Sequence, residues 1–207
     1  MARVRGQVDE TKTEAILDAA QALFHERGAR ASMEAIARRA GVSRQTLYNR
    51  FPSKVEIGRA LAGRRSDAVS APLRGGGDPE AVLTAMASAL LDKICAPTTG
   101  SSMRGVALMS PEVPELAAAI YQAGPGEGLR RLTAWLAEQD AAGRLAAPDP
   151  RAAAEMFTGM VLGHGHLRSI LGVPHPPFDR EARAAETARR FLRAFAPAPD
   201  DETGRSP

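Results

Sequence analysis

Fourteen residues, Gly41 to Lys54, read GVSRQTLYNRFPSK and crowd hydrogen-bond donors onto one short segment. Leu47 and Phe51 stand four apart and, with Val42, mark the buried side of a helix running from Arg44 to about Phe51. Arg44, Gln45, Tyr48 and Asn49 then face outward, flanked by Ser43, Thr46, Arg50 and Lys54. In the major groove an arginine pairs with guanine, and a glutamine with adenine, through two hydrogen bonds each. Hydroxyl, amide and cationic side chains and helix N-termini hold phosphate oxygens. The pattern therefore fits the edge and backbone of duplex DNA, against the blander reading of a solvated polar face.

Such a face works only if neighbouring elements hold it. Ser32 is placed to cap a short helix, Met33 to Arg39, and Gly41 to take the left-handed conformation of a tight turn. Two short helices joined by a glycine-containing four-residue turn form a helix-turn-helix. A first helix is expected from about Lys12 to Arg27, with Ile16, Ala20, Leu23 and Phe24 on one face and Gly28 as its stop. Thr11 to Glu14 and Ser53 to Glu56 read as capping boxes, and Asp78-Pro79, Ser110-Pro111 and Asp149-Pro150 as N-caps preceding a first-turn proline.

Alternating strand patterns are nearly absent, so the chain is expected to be all-α. A fourth helix from Lys54 to about Val69 should connect the first three to a larger helical domain, with helices near 79–95, 102–109, 112–122, 125–143, 150–171 and 180–195. The expected division is a helix-turn-helix domain over 10–55, a ligand-binding and dimerisation domain over 56–196, and a polar, proline-rich, disordered tail over 197–207.

The segment SMEAIARRAGVSRQTLYNRFPSK closely resembles the DNA-binding segment of TetR/AcrR-family transcriptional regulators, including the core V-S-x-x-T-L-Y-x-x-F-x-S-K. That resemblance implies base contacts at Arg44, Gln45 and Tyr48, and phosphate contacts at Thr46, Tyr48, Asn49, Arg50 and Lys54. Gln45 stands where a small residue is common in the family, and Arg50 where His or Tyr is common. The operator sequence is therefore not transferable from a relative. The stretches VPELAAAIYQAGPGEGLRRLTAWLAEQDAAGRL and DPRAAAEMFTGMVLG resemble an AefR-like C-terminal domain. Together the resemblances imply an all-α homodimer, a repressor released from a palindromic operator by a small-molecule effector, with the last two long helices pairing across the dimer.

Charge is distributed accordingly. Residues 1–65 carry 13 Lys/Arg against 7 Asp/Glu, and residues 66–207 carry 14 against 17, within a net charge of +3. A basic front joined to a mildly acidic remainder suggests that only the front meets a polyanion. AVLTAMASALL and MFTGMVLG fall short of the roughly 20 apolar residues of a membrane span, and MARVRGQVDE lacks a signal-peptide core. A cytoplasmic protein is expected.

Candidate effector contacts are the adaptable or aromatic residues of the second domain: Met86, Met103, Met109, Trp135, Met156, Phe157 and Met160. Each also suits an ordinary core. Few buried charges are evident there, so a neutral apolar or aromatic ligand is expected. The dimer surface is assigned to Gly159 and Gly163, where helices can approach closely, and to Ala188, Phe191, Leu192 and Phe195 on the apolar stripe of the last helix. His164 and His166 lie two apart and so do not share a helical face, and Cys95 is single, so no metal or cofactor is expected. HExxH, GxSxG and phosphate-binding loops are missing, which argues against an enzyme. The rival functions are an all-helical enzyme with its site in the second domain, and a protein-interaction module with a vestigial helix-turn-helix.

Overall fold

The computed structural model describes residues 5–96, 103–107, 110–111 and 113–198, and every regular element among them is helical. They are α1 (Arg5–Arg27), α2 (Met33–Arg39), α3 (Arg44–Arg50), α4 (Lys54–Val69), α5 (Pro79–Cys95), α6 (Pro114–Tyr121), α7 (Glu127–Ala141), α8 (Pro150–Leu171) and α9 (Arg180–Ala194). Residues 103–107 are also helical. Met109 and the tail from 199 lie outside the described residues.

Most helix starts follow their caps. Ser53 Oγ accepts from Glu56 N–H at 3.3 Å, Asp78 from Ala81 at 3.0 Å and Asp149 from Ala152 at 3.0 Å. Two expectations fail. Helix α1 runs straight through Thr11 to Glu14, because the i, i+3 spacing of a capping box also suits a helix interior and no proline stands upstream to stop it. Ser110-Pro111 lies in a turn, and Pro114 takes the first helical turn, with Val113 at the N-cap. The sequence SPEVP offers two prolines, and the helix starts at the second although Val113 before it makes no side-chain cap.

The link between α6 and α7 also departs from the expected loop. Gln122–Gly126 winds as one π-helical turn around Pro125, a residue with no N–H to donate. Gly124 is buried in that turn, and a Cβ there would lie 3.3 Å from the Cβ of Ala62 on α4.

Packing gathers the chain into two compact units: Met1–Ala68 with Lys93–Glu127 and His164–Pro176, and Val69–Asp92 with Gly128–Gly163 and Pro177–Pro207. The first therefore combines the helix-turn-helix with segments that the linear division assigned to the second domain. Ile16, Ala20, Leu23, Ile36, Leu47 and Ile57 form its buried centre. Arg64 on α4 reaches α1 through Glu14 Oε2 at 2.9 Å, Asp18 Oδ1 at 2.7 Å and Gln21 Oε1 at 2.9 Å. A Cβ at Gly58 would meet Ile120 and Leu116 at 3.4 Å, whereas one at Gly63 would meet nothing within 4 Å. Close packing thus accounts for the first glycine and not for the second.

In the second unit Leu83, Met86, Leu132, Leu136, Phe157 and Phe191 are wholly buried. The rings of Phe157 and Phe191 meet edge to face at 5.1 Å, and Phe195 lies 4.5 Å from Phe191. The sequence assigned Ala188 and Phe191 to the dimer surface, but both are 0% exposed within the single chain. Part of the stripe on α9 is used within the chain, where Phe191 meets Phe157 of α8. Gly163 is corrected as well: with φ 44° and ψ −140° it breaks the helical path inside α8, a conformation that explains glycine without any partner helix. No helix among the described residues is long and apolar enough to cross a membrane.

Candidate nucleic-acid interface

The turn between α2 and α3 is closed by backbone groups. The N–H of Gly41 donates to Arg38 O at 3.3 Å and that of Val42 to Ala37 O at 3.0 Å, the Schellman pairing, with Gly41 at φ +65°. A Cβ at Gly41 would touch nothing, so its dihedral rather than its space demands glycine. Ser32 Oγ caps α2 through Ala35 N–H at 3.2 Å, and Ser43 Oγ caps α3 through Thr46 N–H at 3.0 Å.

On that frame Leu47 is fully buried and Phe51 nearly so, which fixes the rotation of α3. Ser43, Arg44, Gln45, Tyr48 and Asn49 are exposed, while Thr46, Arg50 and Lys54 are half-buried at the margins. All eight residues picked from the sequence therefore occur in one short stretch of surface around α3. Within it the polar groups hold one another: Gln45 Nε2 donates to Asn49 Oδ1 at 2.6 Å, and the Ser43 and Thr46 hydroxyls lie 2.8 Å apart.

Sequence reasoning missed Glu34. Its carboxylate on α2 meets Arg44 Nη2 at 2.9 Å, with the two side chains 47% and 69% exposed. An ion pair this open contributes at most about 1 kcal/mol. It orients the guanidinium and leaves most of it exposed. The ten-residue separation fits no helical spacing, so only the folded turn brings the two together.

The six candidate effector contacts among the described residues are divided between the two units and between core and surface. Met86, Trp135 and Phe157 are core residues of the second unit, and Met103 is half-buried in the first. Met156 and Met160 point outward, 57% and 45% exposed, so neither lines an enclosed site in the single chain. Gly159 is exposed between them, and among the described residues a Cβ there would meet nothing within 4 Å, while Leu192 and Phe195 are half-buried.

A cavity of about 240 Å³ lies instead in the first unit, lined by Ile94, Arg104, Arg168, Ser169, Val173 and His175 among others. Its walls hold two arginines. Arg104 Nε donates to Ile170 O at 2.9 Å, and Arg168 Nη1 to Pro174 O at 3.3 Å. Ser169 Oγ lies 3.0 Å from Ile94 O, 3.1 Å from Gly165 O and 3.1 Å from His175 Nε2. The single hydroxyl proton has two carbonyl oxygens and the imidazole as possible acceptors, and whether His175 Nε2 donates or accepts depends on its tautomer. Nearby, burial and then the Arg65 charge hold the Lys93 ammonium below its ordinary pKa. Burial and then Lys93 do the same to His166.

Comparison with known proteins agrees with this arrangement. Residues 16–61 match the family described as bacterial regulatory proteins, tetR family, and residues 81–197 match the AefR-like transcriptional repressor C-terminal domain. No curated protein matches the chain. Among solved structures, the flavonoid-responsive regulator FrrA is 31% identical over 91% of this chain and 98% of its own, with a TM-score of 0.69. A TetR-family regulator from Mesorhizobium loti shares the fold at a TM-score of 0.75 and 23% identity, covering 94% of this chain and all of the other. SmeT in its triclosan complex shares it at 0.62 and 24%, over 95% and 98% of the two chains.

Proposed function

The chain belongs to the TetR family of bacterial transcriptional regulators, and on that basis we propose how it regulates: as a cytoplasmic homodimer it represses from a palindromic operator until a small-molecule effector releases it. The observation that carries this reading is the exposed, donor-rich face of α3, held by a buried Leu47 and a closed glycine turn. Arg44, Gln45 and Tyr48 read bases; Ser43, Thr46, Asn49, Arg50 and Lys54, together with Tyr48, grip phosphates. Two-fold protein symmetry then requires half-sites about one helical turn, roughly 34–36 Å, or a multiple of it apart. Release by a ligand is supported by the names of two structural relatives, one flavonoid-responsive and one solved with triclosan.

Reading and gripping should separate under mutation. Arg44→Ala or Gln45→Ala is expected to relax preference at one or two positions per half-site, at about 1–3 kcal/mol for a lost bidentate contact. Lys54→Ala should weaken all duplexes alike and lower the slope of log affinity against log salt by about one. Anisotropy titrations over a range of salt, with operator and scrambled duplex, measure both effects. A changed base preference in Lys54→Ala but not in Arg44→Ala would reverse the assignment.

No enzymatic activity enters this reading. The Ser169–His175 pair has the spacing of a nucleophile and base, but two carbonyl oxygens, of Ile94 and Gly165, compete for the one serine proton.

Effector binding reaches the DNA through α4, which starts at the phosphate-gripping Lys54 and packs at Gly58 on α6. Gly63 has room for a methyl group and lowers helix stability by about 1 kcal/mol relative to alanine. Gly63→Ala should therefore raise the melting temperature and shrink the effector's influence on operator affinity. Undiminished release by effector in that variant rules out a compliant α4.

A further inference from the structure

The cavity of the first unit is built for charge. The described segments around it, 93–96, 103–107 and 164–175, contain no Asp or Glu, while they carry Lys93, Arg104, His164, His166, Arg168 and His175. Arg104 and Arg168 both line it, and among the described residues no carboxylate pairs with either. Capping the end of α8 is the plain structural role for two arginines here, and it accounts for one N–H of each, donated to Ile170 O and Pro174 O. A guanidinium has five.

Arg104 is also seated deliberately. Its guanidinium lies across Gly172, where any Cβ would collide with it, and Gly172 has φ +73°. Ile94, Ala96, Val173 and Pro174 give the rest of the wall an apolar part, beside the polar Ser169 and His175. At about 240 Å³ the space is below the roughly 300–1,000 Å³ of a drug-sized site, so it suits a small molecule.

We propose that this cavity is the effector site and that the effector is a small monocarboxylate. Its carboxylate pairs with Arg168 and Arg104 and its apolar body lies against Ile94, Val173 and Pro174. Guanidinium and carboxylate match in a planar, two-bond geometry that a neutral ligand does not reproduce. Burial and the Arg65 charge already disfavour the Lys93 ammonium in the same unit, and an anion nearby relieves that. This deepens the proposed function, because it rests on the chain being an effector-released repressor and names what releases it.

Calorimetry on the full-length protein without DNA tests the site directly, using benzoate, phenylacetate and hexanoate, each beside its neutral amide. At least one acid should bind about tenfold to a hundredfold tighter than its amide, the worth of hydrogen bonds to a charged group. Arg168→Gln should abolish that preference and Arg168→Lys retain part of it, with thermal unfolding of each variant run alongside. If Arg168→Gln unfolds, Arg168→Lys alone decides, since a lysine keeps the charge but not the fork. Equal affinity for acid and amide, wild-type binding by both variants, or no binding of any of the three acids overturns the proposal. A separate operator titration distinguishes the two levels. Acid binding with unchanged operator affinity removes the effector role, whereas failure of the unliganded protein to bind any operator refutes the regulatory reading and leaves the calorimetric result standing.

Discussion

Replacing Met156 and Met160 together by glutamate should turn the protein into monomers that bind the operator about 100- to 10,000-fold more weakly. Both side chains stand outward on α8, 57% and 45% exposed, four residues apart and therefore on one helical face, with exposed Gly159 between them. Two large apolar side chains left in water beside a flat glycine surface suit helix-on-helix contact with a second copy. Among the described residues nothing lies within 4 Å of the position a Gly159 Cβ would occupy, so their packing does not explain that glycine. A monomer loses the second half-site, and with it the effective concentration that makes two weak contacts one strong one. Sedimentation velocity and operator titration measure the two consequences separately. A variant that still sediments as a dimer places the interface elsewhere.

Phe191→Ala should instead cost about 3–5 kcal/mol of folding stability, the usual penalty for emptying a buried aromatic site. The ring is fully buried, meets Phe157 edge to face at 5.1 Å and has Phe195 at 4.5 Å, so its removal leaves a void bordered by stiff rings. Urea denaturation followed by tryptophan fluorescence reports it, since Trp135 is buried in the same unit. A Phe191→Ala protein that keeps wild-type stability but becomes monomeric would return this residue to the dimer surface.

The contrast between these two variants shows what an amphipathic stripe conveys. Ala184, Ala188, Phe191 and Phe195 follow helical spacing, and the period correctly says that α9 hides one face. It does not say what hides it, because a partner helix and the same chain's α8 present equivalent apolar surfaces. Met156 and Met160 mislead in the opposite sense. Methionine suits both a pocket and a protein interface, and their exposure distinguishes the two only once α8 is packed.

The helix-turn-helix was legible because its determinants are local. A left-handed glycine, a serine at each N-cap and apolar residues four apart act within a few residues of chain, so the sequence by itself determined the turn, the rotation of α3 and the donor-rich face at Arg44, Gln45 and Tyr48. Tertiary structure alone decided the rest: that Glu34 holds Arg44, that Phe191 belongs to the core, and that Arg104 reaches the carbonyl of Ile170, 66 residues away. Those contacts depend on which faces of distant helices meet. That is settled by the summed burial and shape of many side chains, a quantity no short stretch of sequence carries.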